Sequence, residues 1–282
     1  MNSPSSPLTG SRRRLARLVF LLATLSLANG LVAQGPAKKS SPTSKLYVAD
    51  LTGQSQLDDG DHILKLTKND VRSAEGTTIE TKADSTDSLV LSNGTAIYVA
   101  PETRFEVKRF LQEPFTPNRN DLDDEPSVSQ TVVQIIHGSL GLCTSKLVAG
   151  STMTYKTPEA TISIRGRRLL IETLENETRV SLLEGDITVV GDESQGGETL
   201  HGGQRAIIHR ATAHGPAVIK VEPIPDDQSS KLDDTVSLAC ISRRTVYFES
   251  VPNATGSELV AVRATPASAP AGFTVSPARI NP

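Results

Sequence analysis

The strongest constraint on the fold is an alternation of apolar and polar residues that recurs, interrupted by turn residues, over residues 45–222. Leu89 and Leu91, for example, stand two positions apart in one such run. Successive side chains of a strand point to opposite faces of the sheet, so a period of two predicts β-strands. The dipeptide Asn93-Gly94 separates two of these runs and is a strong β-hairpin signal. The sequence therefore predicts an all-β fold built from stacked short strands.

Glycines divide the predicted strands, and one of them lies within an arginine-rich stretch. The predicted structural turns are at Gly94, Gly138, Gly166, Gly185 and Gly203. Around Gly166, the side chains of Arg165, Arg167 and Arg168 could contact an anionic partner. Alternatively, Gly166 permits a corner between strands and the arginines face solvent. The alternation favours the corner, because Arg165 and Arg167 are in phase with polar Ser163.

One stretch gives conflicting signals. Residues 167–177 are rich in helix-forming residues, which would suit a short helix. The runs before and after them keep a period of two, however, and this favours two strands joined by a hairpin.

The N-terminal segment has the composition of an export signal. Basic residues at positions 11–17 precede an apolar run at 18–28, and small residues follow. This order predicts a signal peptide over residues 1–33 and a protein exported to the periplasm or cell envelope. An uncleaved membrane anchor is the alternative. Residues 34–44, rich in Pro, Ser and Lys, are interpreted as a linker.

Two cysteines, Cys143 and Cys240, are present in the chain. Export would place them in an oxidising compartment where a disulfide could form. Two separate buried thiols are the favoured interpretation, since sequence does not reveal whether their positions meet in space. No C-x-x-C motif occurs, so neither a redox motif nor a zinc knuckle is indicated.

Two further segments depart from the strand pattern. Residues 111–127 contain three prolines and five acidic residues, which is typical of an acidic surface loop. Residues 223–282 form a C-terminal extension. Within it, the apolar spacing and the order of charges favour a helix at 229–243 over a strand, and the Pro/Ala-rich residues 264–282 are predicted to be a mobile tail.

Five segments, in one colinear order over about residues 45–210, resemble the extracytoplasmic β-domain of FecR-type proteins. They are SLVLSNGTAIYVAPETRFEV, VVQIIHGSLGL, KTPEATISIRG, TRVSLLEGDITV and HGGQRAII. The resemblance implies an all-β domain of β-solenoid or β-roll type at 45–222. The best-known members relay iron-siderophore signals and carry a cytoplasmic anti-sigma domain before a membrane span. Here residues 1–17 precede the apolar run, which are too few for such a domain.

No catalytic, cofactor or metal site is predicted. The motif S-x-x-K is absent, and Ser139 lies in HGSLG, where His137 replaces the first glycine of a nucleophile elbow. His201, His209 and His214 match no metal-binding spacing. A net charge of −3 and an aromatic content of 4% argue against nucleic acid as a partner.

The sequence therefore predicts an exported, non-enzymatic interaction module of the cell envelope that binds a protein or an envelope polysaccharide. Its binding surface would include strand edges, the polar residues at 163–168 and the acidic loop. Membrane contact is expected only through an uncleaved signal. One alternative is an envelope sensor related to sigma-factor regulation. Another is a cell-wall glycan binder or hydrolase, which would need a carboxylate pair such as Glu172 with Glu184 or Asp186.

Overall fold

A computed structural model describes residues 43–116, 122–191, 196–210, 212, 215–253 and 256–263. The predicted signal peptide at 1–33, the linker up to residue 42 and the predicted tail at 264–282 lie outside the described residues. In the part that is described, no helix has both the length and the apolar character needed to cross a membrane.

Most described residues lie in two open β-sheets, which confirms the predicted all-β class. The front sheet contains, in spatial order, β4 (Val71–Ser73), β1 (Lys45–Thr52), β6 (Thr86–Leu91), β7 (Ala96–Val99), β9 (Ser129–Cys143), β12 (Arg168–Leu174), β13 (Glu177–Glu184), β16 (Gln204–Arg210) and β17 (Ala217–Pro223). The back sheet contains β3 (Ile63–Lys65), β2 (Ser55–Asp58), β5 (Thr78–Thr81), β8 (Arg104–Gln112), β9 again, β10 (Thr152–Lys156), β11 (Thr161–Ile164), β14 (Asp186–Val190) and β15 (Glu198–His201). The more specific assignment to a β-solenoid or β-roll stays a prediction.

The two sheets share β9. Its first part pairs with β8 and with the parallel strand β10 in the back sheet, and its last part pairs with β7 and β12 in the front sheet. The strand changes sheet at Gly138, where φ is +93°. A Cβ at Gly138 would lie 2.5 Å from Thr103 Cα, so only glycine fits this bend.

The core fills the space between the sheets. Apolar side chains that alternate along the strands point inward from both sheets and are fully buried, among them Leu89 and Leu91 of the front sheet and Phe105 and Ile162 of the back sheet. Burying such side chains contributes about 1.5–3 kcal/mol each. This interleaved apolar layer is the main source of stability and holds the strand ends that carry the candidate site.

The C-terminal extension covers the outer face of the front sheet. Helix α1 (Asp226–Thr245) is longer than the predicted 229–243 and packs with its buried Leu232, Val236 and Ala239 toward the sheet. Acidic residues in its first turn and arginines in its last complement the helix dipole. It runs directly into a hairpin of β18 (Val246–Asn253) and β19 (Gly256–Arg263), whose buried Phe248 and Leu259 pack in one cluster with residues of β1 and β6. The extension is thus part of the packed structure up to residue 263.

A disulfide fastens this cover to the sheet. Cys143, the last residue of β9, is bonded to Cys240 of α1, with 5.1 Å between their Cα atoms and 97 positions between them in the sequence. The structure therefore has the bridge and not the two separate thiols that the sequence favoured. The apolar spacing of the helix did not reveal that Cys240 faces the end of β9.

One carboxyl group lies inside the fold. Asp87 of β6 is 1% exposed, and its Oδ1 accepts a hydrogen bond of 2.8 Å from the Ser55 hydroxyl. Its Oδ2 has no hydrogen-bond partner among the described residues. Burial raises the pKa of Asp87 from 3.8 to about 6, and the Ser55 hydrogen bond offsets only part of this rise.

Replacing Asp87 by Asn is therefore expected to raise the free energy of unfolding at pH 7 by about 1–2 kcal/mol. Because the folded-state pKa of about 6 exceeds the ordinary 3.8, the wild-type protein loses stability as pH rises through this interval. Urea unfolding at about pH 4 and pH 7 should show the advantage of Asp87→Asn only at the higher pH. The exposed Asp61→Asn is the control. An advantage of equal size at both pH values would contradict the interpretation.

Candidate binding cleft

A charged cleft of about 500 Å³ opens where the front sheet, the acidic loop and α1 meet. The loop lies between β8 and β9, and its described residues are 113–116 and 122–128. We call this cleft the arginine cleft, and its lining residues are Asp123, Cys143, Arg167, Arg168, Glu184, Asp233, Ser237, Cys240, Ile241, Arg243 and Arg244. These residues come from three regions that are far apart in sequence.

Gly166 and Gly185 determine where the cleft forms. Residues 165–167 carry the chain from β11 in the back sheet to β12 in the front sheet, and Gly185 carries it back from β13 to β14. A Cβ on Gly185, where φ is +99°, would lie 2.4 Å from Gly166 Cα. The two crossovers therefore touch backbone to backbone, and the Arg167 N–H donates to the Glu184 carbonyl oxygen at 2.9 Å. The φ of Gly166 is not positive, but a Cβ there would lie 2.9 Å from Leu182 Cδ1 and 3.1 Å from the Glu184 carbonyl oxygen, so close packing disfavours a side chain.

The other predicted turn glycines lie at chain reversals. Gly94, with φ +82°, lies in the turn between β6 and β7, and its N–H donates to the Leu91 carbonyl oxygen at 2.9 Å. Gly203, with φ +86°, lies between β15 and β16.

The arginines at 165, 167 and 168 do not form one patch. Arg165 is exposed and lines a different groove, beside β10 and β11 of the back sheet. Arg167 Nη2 lies 3.3 Å from Asp123 Oδ1, and Arg167 Nη1 lies 4.0 Å from Glu184 Oε1. The crossover between sheets thus separates side chains that are neighbours in sequence. The Arg167 side chain is 38% exposed and also contacts the acidic loop.

Arg168 connects β12 to the helix. Its Nη2 donates to Asp233 Oδ1 at 2.7 Å and to Ser237 Oγ at 3.2 Å. Its side chain is 26% exposed, and its Nε has no partner among the described residues. The Arg168 side chain is therefore directed at α1.

Arg243 is the buried centre of the site, and sequence analysis did not identify it. It is 5% exposed, and its Nη2 donates to the carbonyl oxygens of Leu122 and Asp123, the latter at 3.1 Å, and to Ser145 Oγ at 3.3 Å. Its Nη1 lies 3.5 Å from Asp123 Oδ1. Burial lowers the pKa of Arg243, the Asp123 carboxylate opposes this effect, and nearby Arg167 adds to it. The only sequence signal was a basic residue in the last turn of a helix.

A pocket of about 220 Å³ with mixed polar and apolar lining shares Arg243 with the arginine cleft, and the carboxylates of Asp124 and Glu125 also line it. Its lining includes apolar side chains from β6, the acidic loop and β18, namely Val90, Leu91, Phe115, Leu122, Val246 and Phe248. One surface region therefore presents apolar and charged recognition elements next to each other.

The charges of the arginine cleft are not balanced. Four guanidinium groups (Arg167, Arg168, Arg243 and Arg244) face three carboxylates (Asp123, Glu184 and Asp233). Arg244 is exposed and has no ion pair or hydrogen bond within the part of the chain that the structure describes. The cleft is therefore suited to an anionic group, and Arg244 is the guanidinium that could accept one without losing a partner.

Other predicted candidates do not meet at this place. Glu184 lines the arginine cleft, whereas Glu172 and Asp186 do not. Asp186 Oδ1 lies 2.6 Å from His201 Nδ1, on the exposed surface. His209 is in β16, and residue 214 is outside the described residues. Within the described ranges, no three His, Cys, Asp or Glu side chains are grouped so that they could hold a metal ion.

Comparison with known proteins gives a family match for the central part of the chain. Residues 77–188 match the model of the FecR protein family, and this confirms the resemblance over that stretch. Two crystal structures of a proposed anti-sigma factor from Parabacteroides distasonis are similar, with 15% and 16% identity and a TM-score of 0.39 in both cases. Each comparison covers 52% of this chain and 60% of that protein. No sequence among the curated proteins matches the chain.

Proposed function

We propose that this protein is an exported, non-catalytic FecR-like module of the cell envelope, and that its arginine cleft is the contact surface for a protein partner in envelope signalling. The observation that supports this most is the convergence of three distant segments on one cleft. The crossover supplies Arg167 and Arg168, the acidic loop supplies Asp123, and α1 supplies Arg243 and Arg244.

The family match adds a second reason. The matched residues 77–188 contain the acidic loop and the crossover, whereas α1 lies after them. The cleft thus forms where the family segment meets an additional C-terminal element. A contact surface built in this way can differ between relatives while the β-domain that carries it stays the same.

The arrangement favours recognition over catalysis. Asp233 Oδ1 lies 2.7 Å from Arg168 Nη2, and Glu184 Oε1 lies 4.0 Å from Arg167 Nη1, so both carboxylates already have guanidinium partners. A glycan hydrolase needs one carboxyl group kept protonated beside a second carboxylate. Envelope signalling, with the relay role implied by the family, is the function that accommodates a charged protein-binding cleft without catalytic groups.

Site-specific crosslinking in cells tests the proposal. A photo-crosslinking residue at Ile241, which is 59% exposed at the cleft, is compared with one at Val218, which is 65% exposed on edge strand β17. One recurrent protein captured from position 241 alone is the expected result. Capture from position 218 alone, or from neither position, would overturn the proposal that the arginine cleft is the contact surface. Mass spectrometry of the same samples identifies the mature N-terminus and so tests export.

A further inference from the structure

The side chain of Asp123 occupies the arginine cleft in a way that an external carboxylate could reproduce. We infer that the cleft takes an acidic peptide segment of the partner, and that a carboxylate of this peptide displaces Asp123 from Arg167 and Arg243. This inference rests on the proposed function, since it names the chemistry of the partner for the same cleft.

Asp123 is an exposed ligand of two arginines. Its side chain is 80% exposed, and its Oδ1 lies 3.3 Å from Arg167 Nη2 and 3.5 Å from Arg243 Nη1. The carboxylate end of both ion pairs is therefore open to solvent, and an external carboxylate can approach the same two guanidinium groups from that side. A peptide carboxylate that approaches both guanidinium groups and is shielded by the rest of the peptide would bind more strongly.

The loop can stay in place when the Asp123 side chain leaves. Arg243 holds the loop through the backbone carbonyl oxygens of Leu122 and Asp123, and it also donates to Ser145 Oγ. None of these hydrogen bonds uses the Asp123 carboxylate. The side chain therefore acts as a replaceable internal anion, while the backbone of the loop is the fixed part of the site.

Apolar surface beside the guanidinium groups favours a peptide over a simple anion. Ile241 of α1 lines the cleft and is 59% exposed, and the neighbouring pocket that shares Arg243 adds the apolar side chains of Leu122 and Phe248. Arg244, which has no ion pair among the described residues, adds a second position for a carboxylate. The matching ligand is a segment in which acidic and apolar side chains alternate or adjoin.

Fluorescence anisotropy with labelled short peptides of alternating Glu and Leu tests the inference, with Gln/Leu and Lys/Leu peptides as controls. Asp123→Asn removes the internal competitor and is expected to tighten binding of the Glu/Leu peptide about tenfold. Arg244→Gln and Arg167→Gln are expected to weaken binding about tenfold. Arg165→Gln is the matched control and should leave the affinity unchanged, because Arg165 lines another groove. Thermal unfolding of each variant checks that the fold is retained.

Two results would overturn the inference. The first is that Asp123→Asn binds the Glu/Leu peptide no more tightly than the wild type does, although both proteins have the same melting temperature. The second is equal binding of the Glu/Leu and Gln/Leu peptides. If no acidic peptide binds while position 241 still captures a protein in cells, the acidic-peptide inference fails and the proposed function stands. If position 241 captures nothing, the proposed function itself fails.

Discussion

Replacing Cys143 and Cys240 together by serine is expected to lower the free energy of unfolding by about 3–5 kcal/mol. The disulfide closes a segment of 97 residues, and cross-linking so long a segment removes much of the conformational freedom of the unfolded chain. It also fastens α1 to the end of β9, so its loss should affect the helix first. Amide hydrogen exchange in α1 is therefore expected to accelerate more than exchange in β11 and β14.

Urea unfolding of the wild type and the double serine variant, each with and without a thiol reductant, measures this effect. The reductant should shift the wild-type transition to that of the variant and leave the variant unchanged. A variant as stable as the oxidised wild type would contradict the expected contribution of the bridge.

Gly185→Ala is expected to lower the free energy of unfolding by about 3 kcal/mol or more, the sum of a left-handed backbone and a steric collision. The φ of +99° disfavours any side chain, and the added Cβ would lie 2.4 Å from the Cα of Gly166. Since the collision is with backbone, it cannot be relieved by rotating a side chain. The two crossovers would have to move apart, and the cleft beside them would change shape.

Gly203→Ala is the matched control for this prediction. Gly203 has a similar φ of +86°, but a Cβ there would meet nothing within 4 Å. Its cost is expected to be about 1–2 kcal/mol, from backbone conformation alone. Denaturant unfolding measures the loss of unfolding free energy in both variants. The difference between the two losses is the cost of the contact between the residue 185 Cβ and the Gly166 backbone. Equal destabilisation would show that the crossovers can separate without cost.

The strands were predictable because the alternation reports which face of each strand is buried. It also decided residues 167–177 correctly. The stretch is rich in helix formers, yet β12 and β13 form there as an antiparallel pair, because burial on both sides of the hairpin outweighs weak helix propensity. The pairing of the strands was not predictable, because apolar residues alternate in the same way whichever strand is the hydrogen-bonding neighbour.

The candidate site was predictable only in part. The sequence pointed to the arginines around Gly166 and to the acidic loop, and the structure joins them through Arg167 and Asp123. The alternation of apolar and polar residues could not show that Arg165 lines one groove while Arg168 contacts α1 after the chain crosses between the sheets. Nor could it show that Arg243 is buried, because its partners are backbone carbonyl oxygens about 120 positions earlier in the chain.

The sharing of β9 between the sheets has a consequence for how the domain folds. The strand pairs with β7 and β8, which precede it, and with β10 and β12, which follow it. Before β9 is in place, the strands that precede it and the strands that follow it have no common partner. Fraying of β9 would leave backbone hydrogen-bonding groups of both sheets without their partners. We therefore expect the two sheets to unfold together, with β9 as the element that couples them.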